Sequence, residues 1–123
     1  MLSGLNNNGG PFSEDALHMA ALQLFRAVRY LHDRNMVHAD LKLDNILLVN
    51  QSIDGLRLID FGLAVNVQTE ADQLNRPRGS LNYMAPEMFY PNTTFGFGAD
   101  TWSLGVILFI LATGSFPFGG AND

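Results

Sequence analysis

The chain has no cysteine, which excludes disulfides, thiolate zinc sites and thiol nucleophiles and is compatible with an intracellular, cytoplasmic setting. It has a single lysine, Lys42, and its arginines are scattered rather than clustered. With twelve acidic residues the net charge is -5, so neither a nucleic-acid backbone nor an anionic membrane surface is an expected partner. A membrane-length apolar run is also missing. Thr101 to Asn122 carries no charge, but its strongly apolar part is only Leu104 to Ala112, and a span needs roughly 20 such residues. Met1 to Gly10 has neither the basic start nor the apolar block of a signal peptide. Rich in Asn and Gly, it reads as a flexible leader covering residues 1–12. Internal repeats are absent, and the glycines never take the G-x-G-x-x-G spacing that cradles phosphates.

What remains is a chain of 123 residues, 47% hydrophobic, enough for one folded unit with a core. Ser13 can cap a helix, Glu14 and Asp15 suit its positive first turn, and Phe12 can staple onto Leu17. Leu17, Ala20, Ala21, Leu24, Val28 and Leu31 recur at helical spacing, so an amphipathic helix is predicted over Glu14 to Asp33, with Gln23, Arg26 and Arg29 off the apolar stripe. Arg34 and Asn35 end it, and Met36-Val37 begins an extended approach to His38. Ile46 to Val49 and Leu56 to Ile59 read as two strands joined through the Asp54-Gly55 turn. Antiparallel pairing of these strands brings Asn45, just before one, and Asp60, just after the other, to the same edge. Val65 to Asn82 is polar and aperiodic and reads as an exposed loop. Pro86 and Pro91 bracket a helical turn at most, and an apolar helix starts near Asp100.

The run His38-Ala39-Asp40-Leu41-Lys42-Leu43-Asp44-Asn45 and the later Asp60-Phe61-Gly62 hold the residues with chemistry. Phosphoryl transfer needs a group that orients a hydroxyl nucleophile, a positive charge near the transferring oxygens, and ligands for the metal bridging the phosphates. Asp40, Lys42, Asn45 and Asp60 have these properties in that order. Magnesium prefers oxygen ligands and keeps several waters, so one carboxylate and one amide oxygen suffice from the protein. Taken one at a time, His38 is a core histidine, Asp40 a loop acid, Asn45 a turn former and Asp60 a strand-end cap. Together, at this spacing, they point to one site. Asp44 and Asp54 are read as surface or turn residues, and Arg76 and Arg78 as solvated loop charges.

The H-x-D-L-K-x-x-N run, the D-F-G triplet after a strand, and the later Ala85-Pro86-Glu87 resemble the catalytic loop, metal-binding loop and activation-segment end of eukaryotic protein kinases. Asp100-Thr101-Trp102-Ser103-Leu104-Gly105 is similar to the start of that family's F helix, and Tyr30-Leu31-His32 to the end of its E helix. The resemblance runs from about Phe12 to Phe118. It implies an α+β fold, a mainly helical kinase C-lobe fragment made of the E helix, catalytic loop, short hairpin, activation segment and F helix, with the N-lobe absent. Residues 13–123 form the partial kinase domain. By resemblance, Asp40 and Lys42 are catalytic, Lys42, Asn45, Leu47 and Asp60 bind the ATP co-substrate, and Asn45 and Asp60 hold Mg2+. The protein substrate would be phosphorylated on Ser or Thr, since Lys42 two residues after Asp40 and Gly79-Ser80-Leu81-Asn82-Tyr83 resemble the serine/threonine type. Leu108-Phe109-Ile110-Leu111, with Ile110 where many relatives carry Glu, resembles the calcium/calmodulin-dependent group.

The same resemblance predicts that His38 stacks with Phe61, that the Asp100 carboxylate holds the catalytic-loop backbone, and that Ser80 bonds Asp40 and Lys42. It also predicts a column of Leu47, Ile107 and Leu111, with Leu47 beneath the adenine. Three departures stand beside it. Ala39 occupies the usual Arg position, so it cannot pair with a phosphate on Thr69 or Ser80. No second lysine is available to anchor ATP. Asp123 comes before the helices that cover the F helix and before the usual Arg partner of Glu87. The alternative to an enzyme is a non-catalytic kinase-like binding module or a truncated product lacking the nucleotide lobe.

Overall fold

In the computed structural model, residues 11–76, 78–90 and 93–118 are described. Two helices carry the core: α1, Glu14–Asp33, and α2, Phe97–Thr113. Four short strands lie between them: β1, Met36–Val37; β2, Ile46–Leu48; β3, Leu56–Leu58; and β4, Val65–Asn66. The α+β, mainly helical architecture is the one the sequence implied.

Helix α1 begins where its cap predicts, because the Ser13 hydroxyl accepts from Ala16 N at 3.2 Å and Glu14 and Asp15 occupy the first turn. Ala20, Leu24 and Val28, four residues apart, form its buried face. Asn35, at φ 63°, takes the left-handed position that ends the helix. Phe12 is tied down, its amide donating to Leu111 O at 2.8 Å and its ring packing on the core, while the rest of the expected leader up to Gly10 lies outside the described residues.

Helix α2 is apolar on all sides, as a central helix must be, and starts three residues before Asp100. Leu104, Ile107 and Leu111 are fully buried against Leu24, Leu41 and Ile46. Burying each of these side chains contributes about 1.5–3 kcal/mol. Gly114, at φ 82°, caps the end by donating to Ile110 O at 2.7 Å. Among the described residues, no helix is long and apolar enough to cross a membrane.

Strands β2 and β3 pair antiparallel with Ile46 opposite Leu58, Leu47 opposite Arg57 and Leu48 opposite Leu56. The connection is longer than a tight turn. Val49 leaves the strand for a 3-10 turn, and its amide closes the loop by donating to Gly55 O at 2.8 Å. Gln23, off the apolar stripe of α1, is tied to the hairpin: its side chain donates to Ile53 O and accepts from Leu56 N at 3.1 Å, pinning the hairpin to the helix.

The segment read as an exposed loop also contains a strand. β4 pairs antiparallel with β1, Met36 opposite Asn66 and Val37 opposite Val65, and both valines are fully buried. Beyond it, short 3-10 turns at Ala71–Gln73, Leu81–Tyr83 and Pro86–Phe89 lead to α2, the last being the turn expected after Pro86.

Candidate active site

The site is assembled on the loop between β1 and β2, and its foundation is Asp100 in the first turn of α2. This carboxylate, 1% exposed, accepts from the backbone amides of His38 at 2.8 Å and Ala39 at 3.0 Å. His32, in the last turn of α1, donates Nε2–H to the same group at 2.9 Å, and its ring lies 4.6 Å from that of Phe97. One buried acid thus joins both helices to the loop. It also holds Ala39 at φ 69°, a left-handed conformation that costs a residue with a Cβ roughly 1–2 kcal/mol.

His38 is buried, and its partners decide its tautomer. Nε2 faces Ile59 O at 3.0 Å and must donate, while Nδ1 accepts the Asp40 amide at 3.2 Å. The ring sits 5.0 Å from that of Phe61 and tilted 57° to it, so the expected contact is made but not as a parallel stack. Through this one side chain the catalytic-looking loop is fastened to the segment carrying Asp60.

Asp40, Lys42, Asn45 and Ser80 meet in a small polar cluster. Lys42 Nζ donates to Ser80 Oγ at 3.0 Å and stands 4.0 Å from Asp40 Oδ2. Ser80 Oγ donates to Asp40 Oδ1 at 3.4 Å, as expected of that hydroxyl. Asn45 Nδ2 donates to Asp40 O at 2.7 Å and to Asp40 Oδ2 at 3.4 Å. A left-handed turn at Gly79, φ 99°, delivers Ser80 to this place, so close that a Cβ there would stand 2.7 Å from Ala39 O. Only glycine combines that φ with that approach.

The Asn45 amide nitrogen must face Asp40 O, which turns Oδ1 the other way. That oxygen belongs to a residue only 5% exposed and accepts no hydrogen bond among the described residues. A buried acceptor left open suits a hard cation. Asp60 is brought to the same hairpin edge, where Ile59 N donates to Asn45 O at 2.9 Å. Its Oδ1 accepts from Gly62 N at 3.3 Å, and Oδ2 has no donor among the described residues. Asp60 holds φ 59°, a second strained non-glycine position at the site. One amide oxygen and one open carboxylate fit magnesium, whereas no cluster of three or more His, Cys, Asp or Glu among the described residues is arranged around a metal.

Leu47 requires a correction. The core takes Ile46 and Leu48 from β2, together with Ile107 and Leu111, while Leu47 points the other way and is 40% exposed. It cannot stack directly on Ile107 and Leu111, because successive side chains of a strand face opposite sides. Its exposed apolar face remains open to a ligand ring.

Arg78 departs from the solvated loop charge that the sequence suggested. It is half-buried and donates to Leu63 O at 3.2 Å, Gln73 Oε1 at 3.2 Å and Arg76 O at 3.3 Å. Ser103, buried in α2, donates to Tyr83 O at 2.6 Å and anchors the turn after Ser80. Burial pushes the Tyr83 phenol above its ordinary value of 10.0; a hydrogen bond with the Leu43 backbone opposes this and the Asp44 charge adds to it. Sequence reasoning missed the binding roles of Gln23 and Arg78; their positions off an apolar stripe and within a polar loop were the only signal.

Comparison with known proteins agrees with this geometry. The family model described as "Protein kinase domain" matches residues 1–123. The chain is 46% identical over 113 residues to serine/threonine-protein kinase kin-29 of Caenorhabditis briggsae, covering 92% of this chain and 14% of that protein. It is 40% identical to serine/threonine-protein kinase ppk25 of Schizosaccharomyces pombe, covering 89% of this chain and 25% of the relative. It is also 40% identical to calcium/calmodulin-dependent protein kinase cmkA of Emericella nidulans, covering 92% and 27%. The chain therefore spans about a seventh to a quarter of the length of these relatives. With the family model matched end to end and the backbone amides of the loop held by one buried aspartate, the chain belongs to the protein kinase domain family.

Proposed function

We propose that the chain is the catalytic-loop half of a serine/threonine protein kinase, which transfers the γ-phosphoryl group of ATP to Ser and Thr hydroxyls of protein substrates. The observation that carries this reading is the cluster in which Lys42, Ser80 and Asn45 converge on the Asp40 carboxylate. The relatives named serine/threonine kinases support the class of transfer. An intracellular, cytoplasmic location belongs to the same proposal, on the absence of cysteine.

In this reading Asp40 orients the substrate hydroxyl and accepts its proton, its carboxylate held in place by Ser80 and Asn45. Lys42, already hydrogen-bonded to Ser80, places positive charge where the transferred group gathers negative charge. Asn45 Oδ1 and Asp60 would hold Mg2+, which when bound neutralises the phosphate oxygens. Leu47 offers its exposed side chain to the adenine.

The test is Asp40→Asn in the full-length protein. Phosphotransfer to a peptide should fall by about 10²–10⁴, the usual share of a general base, with Mg–ATP affinity unchanged within about threefold. Near-normal turnover by Asp40→Asn would overturn the reading.

A further inference from the structure

The guanidinium of Arg78 closes the neck of the segment that runs from the metal-ligand loop to Ser80. Nη1 donates to Leu63 O, three residues beyond Asp60, and Nη2 to Gln73 Oε1, both at 3.2 Å. Nε donates to Arg76 O at 3.3 Å, and the cation lies 5.8 Å from the ring centroid of Phe95. Phe95 is buried, and its amide donates to Leu74 O at 2.8 Å, so the ring is itself fixed to the segment. Every acceptor is neutral, and Arg78 forms no ion pair among the described residues.

Both ends of this segment are reacting ends. Leu63 follows Asp60-Phe61-Gly62, whose Phe61 packs on His38. Arg78 precedes Gly79, pressed against Ala39 O, and Ser80, bonded to Lys42 and Asp40. Loops of this kind are ordered by a phosphate when arginines converge on it. Here the residue next to Asp40 is Ala39, which has no charge to offer, and the two arginines on the segment, Arg76 and Arg78, turn donors to the segment's own carbonyl and amide oxygens. A planar fork with five N–H groups reaches three such acceptors spread along its edge, a geometry that the compact ammonium of a lysine does not match.

We infer that Arg78 is a positioning residue: it holds the stretch from Leu63 to Arg76 in the arrangement that sets Asp60 and Ser80, without a phosphate on the segment. The inference rests on the kinase reading above.

The test uses the full-length protein, with and without phosphatase treatment. Wild-type kcat should stay within about twofold after treatment, while Arg78→Ala should lower it about tenfold or more, as displaced catalytic groups do. Methylguanidinium at tens of millimolar should restore Arg78→Ala at least about threefold but leave Asp40→Asn unchanged, because only the first lacks a guanidinium. Arg76→Ala removes the same charge from the same loop and a long 3.4 Å bond to Gln73 Oε1, yet keeps both the carbonyl and the Gln73 oxygen that Arg78 uses, so its kcat should stay within about twofold. Should Arg78→Ala fail to fold, Gln73→Ala removes one acceptor from an exposed turn and should lower kcat about threefold. Unchanged turnover in Arg78→Ala or Gln73→Ala, no rescue by methylguanidinium, or loss of wild-type activity on dephosphorylation would each overturn the inference. A wild-type protein with no phosphotransfer in either state would overturn the kinase reading itself, an outcome distinct from a defect confined to the variants.

Discussion

Asp100→Asn tests the foundation of the site. The carboxylate is 1% exposed and uses one oxygen on Ala39 N at 3.0 Å and the other on His38 N at 2.8 Å and His32 Nε2 at 2.9 Å. An amide keeps one oxygen and presents an NH2 where the other accepted. Whichever way it turns, one buried backbone N–H faces a donor. Losing a charge-assisted bond costs about 1.5–3 kcal/mol, and the stranded N–H adds about 1–3, so a total near 3–5 kcal/mol is expected. The amide also releases Ala39, whose φ of 69° is held against its own strain. Asp40 follows directly, and a shift of about 1 Å there costs on the order of 10²-fold in turnover. Urea unfolding reads the first effect, and peptide phosphorylation by the full-length protein at a temperature where the variant stays folded reads the second. A loss below about 0.5 kcal/mol with unchanged kcat would refute the claim that this acid holds the loop.

Three further outcomes follow. Gly79→Ala sets a Cβ 2.7 Å from Ala39 O at φ 99° and should destabilise by about 2–4 kcal/mol in urea titration. Gly105→Ala, inside α2 with no atom beyond its chain neighbours and the local helix backbone within 4 Å of the added Cβ, should instead stabilise by about 0.5–1 kcal/mol. Because the Tyr83 phenol ionises above 10.0 in the folded chain, that chain keeps its proton where the unfolded one has lost it. Stability should therefore fall as pH rises past 10.0, and Tyr83→Phe should remove that part of the slope in unfolding curves between pH 9 and 11.

Helix α1 could be read from the chain because its cap, acidic first turn and apolar stripe are all local. The β2–β3 hairpin was equally legible, and from it the approach of Asn45 to Asp60. The β1–β4 ladder was not: two residues on each strand, with Met36 opposite Asn66, leave too short a pattern to detect. Leu47 was placed in the wrong column because a three-residue strand alternates without saying which face is inward. Gln23 was legible only as a residue off the apolar stripe and Arg78 as a solvated loop charge, since nothing near them in sequence names Ile53, Leu56 or Leu63 as partners.

By itself, the sequence determined which groups were available: no thiol, one lysine, and an aspartate, asparagine and second aspartate spaced for phosphoryl transfer. Those are properties of residue types and short spacings. Only the tertiary structure decided that Asp100 would hold the loop, that Ser80 would reach Asp40 and Lys42, and that Arg78 would clasp its own segment. Such contacts join residues far apart in the chain, and their geometry exists only after the helices have packed.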